Sequence, residues 1–224
     1  MRLLLCSALL AEAGPVIRHF RLKALSGTPF KVFENDEIRL VISGRGSAAA
    51  AAATSYLLAT TSPAEAIINI GAFHHLSLPA GTLVFVKKVK DRFVKDIFEP
   101  AALPSFETGE LAAGVDFAKE PFEDVEAFGF CLSAFHYLKS ANIYCLRVVV
   151  GSVCENFSLL TEKNIYETIE KKMPEIETVL ETIKKGSPAP VENEELCEKK
   201  QALKEIIENL DFFKKGNLSR VIAR

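Results

Sequence analysis

Short apolar runs alternate along the chain with longer segments of helical pattern. A continuous apolar run covers Leu3–Ala8, and the alternating segments "FKVF" and "EIRLVIS" flank a polar turn at Glu34–Asp36. Runs of this length predict buried strands, and the polar turn predicts a hairpin. The segments "EAIINIG", "PAGTLVFVKKVK" and "NIYCLRVVV" predict three more strands.

Two helices are predicted in the N-terminal part of the chain from their first residues. Pro15 follows Gly14 and indicates a helix start, because proline suits the first position of a helix. Ser47 precedes six consecutive alanines and is predicted to cap a helix that runs to about Ala59.

The C-terminal part of the chain is predicted to be more helical. Helical patterns cover 124–140 and 161–185, and Pro174 is predicted to open a second helix within the latter range. Proline lacks the N–H group that a helix interior requires, so one unbroken helix is excluded there. Residues 91–123 are rich in Pro, Gly and acidic residues and predict a loop with at most short elements.

The alternation of strands and helices predicts an α/β fold, a three-layer sandwich in which helices cover both faces of a mixed central sheet. We expect one domain over 1–186 and a C-terminal helical extension over 187–224, joined by the polar segment "GSPAPVENEE". The extension contains an amphipathic pattern at 194–215, and its apolar stripe must dock on the domain or on a partner.

Composition limits the classes of function that the chain can have. The formal net charge of −2 and the pI near 6.1 provide no basic surface for nucleic acid or for an anionic membrane. The apolar run at the N-terminus is short for a signal peptide, and no segment reaches the ~18 apolar residues of a membrane span. We therefore expect a cytoplasmic protein that binds neither nucleic acid nor membrane.

The cysteines and histidines do not form a recognisable metal or disulfide motif. The five cysteines are scattered and never form a CxxC pair, which is typical of a protein from a reducing compartment. His74 and His75 are adjacent, and neighbouring side chains point in different directions and rarely chelate one ion. No metal site is predicted.

The segment "SGRGS" links a predicted strand to the alanine-rich helix. Glycine on both sides of Arg45 permits a sharp turn, and the helix that follows directs its free N–H groups and the positive end of its dipole toward an incoming anion. Arg45 is a candidate for a bidentate contact with a phosphate or carboxylate group. The alternative is a strand-to-helix connection with no ligand.

The order of these elements resembles that of a known family. The segment "IRLVISGRGSAAAAAATSYLLATTSPAEAIINIGAFHHLSLPAGTLVFVKKV" is similar to the nucleoside phosphorylase and nucleosidase superfamily, above all to methylthioadenosine/S-adenosylhomocysteine nucleosidases. The resemblance implies a sandwich of the nucleoside phosphorylase type. It also implies cleavage of the N-glycosidic bond of a purine nucleoside-like ligand, by water or by phosphate.

The same resemblance implies roles for particular residues. In "LLLCSALLAEAGPVIRHF", Glu12 corresponds to the glutamate that binds and activates the attacking water. In "DVEAFGF", Glu126 corresponds to the acid that holds the ribose hydroxyls, and Val125 corresponds to the methionine beside the sugar. Arg45 and the amides of its turn would bind an anion or the 5′ substituent.

Two departures from the family pattern affect the expected chemistry. The family motif R-x-x-S-D ends in the aspartate that protonates the leaving base, and here "RVVVG" places Gly151 at that position. The small segment G-S-A-G-G has become "GAFHH", so Gly71, Ala72, Phe73 and His74 are the candidate pocket residues. Either His74 or His75 is available to replace the lost acid, and we take His74 as the candidate.

Two hypotheses about function remain open at this point. The first is a nucleosidase or phosphorylase that uses Glu12 and His74 for catalysis and needs no cofactor, with phosphate as the one conceivable co-substrate. The second is a family member that has lost catalysis and serves as a ligand-binding or protein-interaction module. The family resemblance also implies a homodimer or a higher homo-oligomer.

Overall fold

The strands of the chain form one mixed sheet with helices on both faces. A computed structural model describes residues 2–61, 64–75, 78–91, 96–113, 126–152 and 161–186. The strands are β1 (Leu3–Ser7), β2 (Lys23–Leu25), β3 (Lys31–Glu34), β4 (Ile38–Ile42), β5 (Ala66–His75), β6 (Leu83–Asp91), β7 (Ile97–Phe98), β8 (Glu107–Ala113) and β9 (Ile143–Ser152). The helices are α1 (Leu10–His19), α2 (Ser47–Ala59), α3 (Ala127–Tyr137), α4 (Glu162–Lys171) and α5 (Met173–Gly186). The α/β architecture predicted from the sequence is confirmed, while the predicted extension over 187–224 lies outside the described residues.

The sheet order is β2-β3-β4-β1-β5-β9-β6-β7, and β8 pairs with β6. Strands β4, β1, β5 and β9 are neighbours and run parallel to one another. The hairpin strands β2 and β3 and the pairing of β6 with β9 are antiparallel, which makes the sheet mixed. Because four central strands are parallel, their carboxyl ends meet at one edge of the sheet, where ligands bind in open α/β folds.

Each face of the sheet buries its own apolar core. Helices α1, α4 and α5 cover one face and contribute residues such as Val16, Ile169 and Ile176. Helices α2 and α3 cover the other face and contribute residues such as Leu57 and Phe130. The strands alternate between the two cores because successive side chains of a strand point to opposite faces.

The alanine-rich helix α2 lies very close to α3. The Ser133 hydroxyl donates to the carbonyl of Ala51 at 2.9 Å, and the Ser55 hydroxyl donates to the Ser133 hydroxyl at 3.0 Å. At the start of α3, a Cβ atom placed on Gly129 would lie 1.8 Å from the carbonyl oxygen of Ser47. The two helices are so close that only small residues fit where they touch. The six alanines therefore belong to a packed helix.

Helix α2 differs from the expectation at its first residue. It begins at Ser47, the residue before it is Gly46, and no side chain of the described residues caps it, so the prediction that Ser47 caps this helix is wrong.

Three other elements differ from the sequence-based expectations. Helix α1 begins at Leu10, and Pro15 lies inside it. The carboxylate of Glu12 accepts the N–H of Leu9 at 2.9 Å and so stabilises this earlier start. The region predicted as a loop contains β8, whose pairing with β6 is long-range and leaves no periodic pattern in the sequence. Strand β5 continues past the predicted end at Gly71 to His75.

The end of α1 provides a prediction about stability. Arg21 has φ +53°, the left-handed region that favours glycine, and the N–H of Leu22 closes the helix on the carbonyl of Ile17 at 2.9 Å. We expect the free energy of unfolding of Arg21→Gly to be about 1 kcal/mol higher than that of Arg21→Ala. Only glycine avoids the steric cost of this conformation, so Arg21→Gly should be the more stable variant. Urea titration measures the difference. Equal stability of the two variants would contradict the prediction, since both remove the same side chain.

Candidate active site

Several residues singled out from the sequence lie at the edge where the parallel strands end. Glu12 lies in the first turn of α1, shortly after β1, and the "SGRGS" turn follows β4. Ala72 and His74 lie in the last part of β5, and Gly151 lies near the end of β9. The N–H groups of Ser43 and Gly44 donate to the carbonyls of Ser7 and Ala8 at 2.9 and 3.1 Å, which ties the ends of β4 and β1 together.

Glu12 is a buried carboxylate held by backbone amides. Its side chain is only 6% exposed, and Oε2 accepts the N–H groups of Ala8 at 3.1 Å and Leu9 at 2.9 Å. These two contacts cap α1. Oε1 accepts the N–H of Ala72 at 2.9 Å, which lies on another strand and is not part of the cap. Glu12 therefore joins the ends of β1 and β5.

Arg147 on β9 is a buried cation beside this carboxylate. It is 2% exposed, and its guanidinium donates to the carbonyls of Asn69 and Leu146 at 3.0 Å each and to the side-chain oxygen of Asn69. A Cβ on Gly71 would lie 3.3 Å from Glu12 Oε1 and 3.4 Å from Arg147 Cζ. The absence of a side chain at Gly71 thus lets the acid and the guanidinium border the same space.

Asn69 and Cys6 complete the polar layer under α2. The Asn69 side-chain amide donates to the carbonyl of Cys6 at 3.0 Å, and the hydroxyl of Thr54 lies 3.7 Å from the Cys6 sulfur. Burial raises the pKa of the Cys6 thiol to about 12, and the charge of Glu12 acts in the same direction, while hydrogen bonds from Thr54 and Ser43 and the charge of Arg147 oppose it. Cys6 is protonated at neutral pH and is no nucleophile.

Glu126 binds the turn that the sequence singled out as an anion site. Its Oε1 accepts the N–H of Gly46 at 2.8 Å, and Gly46 is the residue that precedes α2. Gly44 and Gly46 have φ +83° and +98°, so this turn requires glycine at both positions. The predicted anion site at the N-terminus of α2 is thus bound by a carboxylate of the chain itself, that of Glu126.

Arg45 lies between these two glycines and is exposed. It forms no ion pair with any residue that the structure describes. Its predicted contact with an anion of the ligand stays a prediction.

The residues of the "GAFHH" segment have different environments. Phe73 is 5% exposed and packs in the core under α2 and α3, with its ring edge-on to His75 at a centroid distance of 6.0 Å. His75 Nδ1 accepts the N–H of Leu78 at 2.9 Å, and burial lowers the pKa of His75. His74 pairs with Gly151 across β5 and β9, directly after a bulge in their register. A Cβ on Gly151 would lie 3.2 Å from His74 Cε1 and 3.3 Å from Nδ1.

The structure thus brings together Glu12, Gly71 and Ala72, and it separately joins Glu126 to the "SGRGS" turn. Val125 lies outside the described residues. Arg147 and Asn69 were not among the candidates from the sequence. A charged residue inside the apolar run "NIYCLRVVV" was the available signal for Arg147, because a buried strand rarely tolerates an unpaired arginine.

The described residues form neither a metal site nor a membrane-spanning helix. No group of three or more His, Cys, Asp or Glu side chains in the described ranges is arranged to hold a metal ion. None of the helices in the described part of the chain is long and apolar enough to cross a membrane.

Comparison with known proteins identifies the fold. The chain superposes on 5′-methylthioadenosine nucleosidase of Arabidopsis thaliana with a TM-score of 0.68 at 16% identity, covering 81% of this chain and 95% of that one. It superposes on the nucleosidase of Chlamydia trachomatis bound to MTA with a TM-score of 0.62 at 16% identity, covering 80% and 98% of the two chains. The nucleosidase of Neisseria meningitidis, in complex with methylthio-immucillin-A, gives a TM-score of 0.57 at 16% identity, covering 76% and 99%. No family model and no curated protein matches the sequence.

These similarities establish the class of fold. The protein has an α/β sandwich fold of the nucleoside phosphorylase type, as the sequence predicted. Its fold is similar to that of the methylthioadenosine/S-adenosylhomocysteine nucleosidases, at low sequence identity.

Proposed function

We infer that the protein cleaves the N-glycosidic bond of a purine nucleoside-like ligand by hydrolysis. The observation that carries this proposal is the Glu12 carboxylate, buried at the edge where the parallel strands end and fixed by the amide of Ala72 with Arg147 close by. Burying a carboxylate is costly, and a fold that does so at its ligand-binding edge holds a charged acceptor ready for chemistry. Structural neighbours solved with MTA, adenine or methylthio-immucillin-A support the ligand class.

In this proposal Glu12 orients the attacking water and accepts its proton. Cleavage passes through a sugar with oxocarbenium character, and a nearby carboxylate stabilises that developing positive charge. Arg147 offsets the charge of Glu12. Its terminal nitrogens are directed to the Asn69 and Leu146 oxygens, so its contribution is mainly a positive charge near the carboxylate.

Glu126 binds the ribose hydroxyls in this proposal, with its orientation set by the Gly46 amide. Val125 would line the sugar, and Gly71, Ala72 and Phe73 would shape the pocket. The exposed Arg45 would bind the 5′ substituent or another anionic group of the ligand.

Water is favoured over phosphate as the nucleophile by the charges at this edge. A phosphate dianion needs free N–H groups or cations. The Gly46 amide is bound by Glu126, the Ala72 amide is bound by Glu12, and Arg147 is directed to carbonyl and amide oxygens. Arg45 is an exposed cation near this edge, but it adjoins Gly46, whose amide binds the Glu126 carboxylate, and the two carboxylates would repel the dianion. We therefore expect hydrolysis without a phosphate co-substrate.

The test is a direct assay of the purified protein. It is incubated with methylthioadenosine, S-adenosylhomocysteine, inosine and uridine, with and without phosphate, and free base and sugar products are separated by chromatography. We expect free base from at least one purine nucleoside, with an unphosphorylated sugar and a rate independent of phosphate. No free base from any of the four would contradict the proposal, and ribose 1-phosphate would contradict its hydrolytic form.

A matched pair of variants tests the role of Glu126. Glu126→Gln keeps an oxygen that accepts the Gly46 N–H and removes only the charge, so we expect turnover to fall about 100-fold with little loss of stability. Glu177→Gln makes the same change on α5, at an exposed ion pair with His19, and should leave turnover unchanged. Equal turnover of both variants would show that Glu126 takes no part in the reaction.

The remaining expectations about the assembly are kept as proposals. We propose that the protein forms a homodimer or a higher homo-oligomer in the cytoplasm. The mass in solution, measured by light scattering, tests the first part.

A further inference from the structure

Hydrolysis of a nucleoside needs a proton donor for the departing base as well as an acceptor for the proton of water. The identity of that proton donor rests on the proposed function. The described structure provides few groups of the required kind at the edge where the parallel strands end.

Two carboxylates at this edge are engaged as hydrogen-bond acceptors. Glu12 accepts three backbone N–H groups, and Glu126 accepts that of Gly46. Hydrogen bonds from N–H groups stabilise the ionised form of a carboxylate, so before the reaction neither holds a proton that the base could receive.

The neighbouring cation, thiol and imidazole are also unsuited. Arg147 does not release its proton in a protein, and Cys6 is fully buried with a raised pKa. His75 uses Nδ1 to accept the N–H of Leu78, which requires that nitrogen to be unprotonated, and burial disfavours its charged form as well.

His74 differs from these groups in its position. It lies two residues beyond Ala72 on β5, and Ala72 is the residue whose N–H binds Glu12. His74 and the contact between Ala72 and Glu12 therefore lie in the same part of β5, at the same edge of the sheet.

The orientation of the His74 ring depends on Gly151. The ring lies against the backbone of Gly151, where a Cβ would be 3.2 Å from Cε1 and 3.3 Å from Nδ1. At these distances the ring would have to give by a few tenths of an ångström to admit a Cβ, so a side chain at 151 would crowd it. Gly151 and His74 thus lie side by side near the ends of two adjacent parallel strands.

From this geometry we propose that His74 is the proton donor to the leaving base and that Gly151 provides the space for its ring. Water adds to C1′ of the sugar and its proton goes to Glu12. The C1′–N bond breaks, and the electron pair that leaves with the base takes the proton from the His74 imidazolium. Glu12 then releases the proton that it took from water and the imidazole takes one up, which restores both groups, and the products are the free base and the sugar.

The experiment compares two leaving groups. A purine nucleoside needs a protonated base to leave, whereas p-nitrophenyl β-D-ribofuranoside releases p-nitrophenolate without help from an acid. We expect His74→Gln to lower turnover of the nucleoside about 100-fold or more and to change turnover of the p-nitrophenyl riboside less than threefold. His75→Gln, one residue along the same strand, should change neither.

A second variant tests the role of Gly151. Gly151 is not in the left-handed region, so Gly151→Val does not strain its own backbone, and it should lower nucleoside turnover while leaving the p-nitrophenyl riboside reaction intact. Equal loss with both substrates in His74→Gln would overturn the proposal, because it would indicate a structural role. Wild-type activity on the nucleoside in His74→Gln would also overturn it. The wild-type protein distinguishes two further outcomes. If it cleaves the p-nitrophenyl riboside but no nucleoside, the assignment of His74 as the proton donor fails, while Glu12 and Glu126 retain their roles. If it cleaves neither substrate, the proposed function itself is contradicted.

Discussion

Gly129→Ala is expected to lower the free energy of unfolding by about 3 kcal/mol, the largest effect that an added methyl group should have at any glycine of the described residues. A Cβ at this position would lie 1.8 Å from the carbonyl oxygen of Ser47 and 2.6 Å from its carbonyl carbon. These atoms are backbone at the start of α2, so relief requires the two helices to separate. Separation would in turn stretch the hydrogen bond between Glu126 and the Gly46 amide.

The measurement is urea unfolding followed by circular dichroism, with Gly186→Ala as the matched control. Gly186 is also a helical glycine, and a Cβ there would meet no atom within 4 Å. The control should unfold like the wild type. Gly129→Ala with wild-type stability would mean that α2 and α3 are not as close as described.

Arg147→Met is expected to cost about 3–5 kcal/mol of unfolding free energy, because it removes one partner from a buried charge cluster. The guanidinium is 2% exposed and binds the carbonyl oxygens of Asn69 and Leu146. Its loss leaves these oxygens short of a donor and leaves the Glu12 carboxylate beside an apolar chain. Methionine has a similar length, so the effect reports on charge and hydrogen bonding more than on volume.

Arg45→Met is the control for this change. Arg45 is exposed and forms no ion pair within the described part of the chain, so the same substitution should alter stability by less than about 0.5 kcal/mol. Similar stability of the two variants would contradict the assigned importance of the Arg147 cluster. Thermal unfolding by calorimetry provides an independent measurement.

The elements that the sequence predicted well are those with local signals. The hairpin of β3 and β4, helix α2 and the division of α4 from α5 near Pro174 follow from turn residues, periodicity and proline geometry. The family resemblance extended these predictions to the whole fold, and the superpositions confirm that extension.

The elements that the sequence missed depend on partners distant in the chain. Strand β8 forms by pairing with β6, and α1 begins early because Glu12 binds the N–H of Leu9. Pro15 was expected to start α1 because local preference places proline first in a helix. The buried carboxylate at its start outweighed that preference.

The candidate site likewise combines residues that local motifs indicate with partners that are distant in the chain. Glu12, Arg45, Glu126 and His74 were selected from sequence motifs, because a motif preserves the type of residue and its spacing. Their partners were not visible in those motifs. The sequence suggested that the "SGRGS" amides receive an anion from the ligand, and the structure places the carboxylate of Glu126 on the Gly46 amide.

The sequence by itself therefore determined the class of fold and the residue types available for chemistry, since hydrophobic periodicity and turn residues act over short stretches of chain. The tertiary structure decided which of those residues meet. Arg147 lies near Glu12 because Gly71 has no side chain, and His74 lies against Gly151 because β5 and β9 are neighbours in register. Such contacts join residues that are far apart in the chain, and they depend on distances of a few ångströms that only the folded sheet sets.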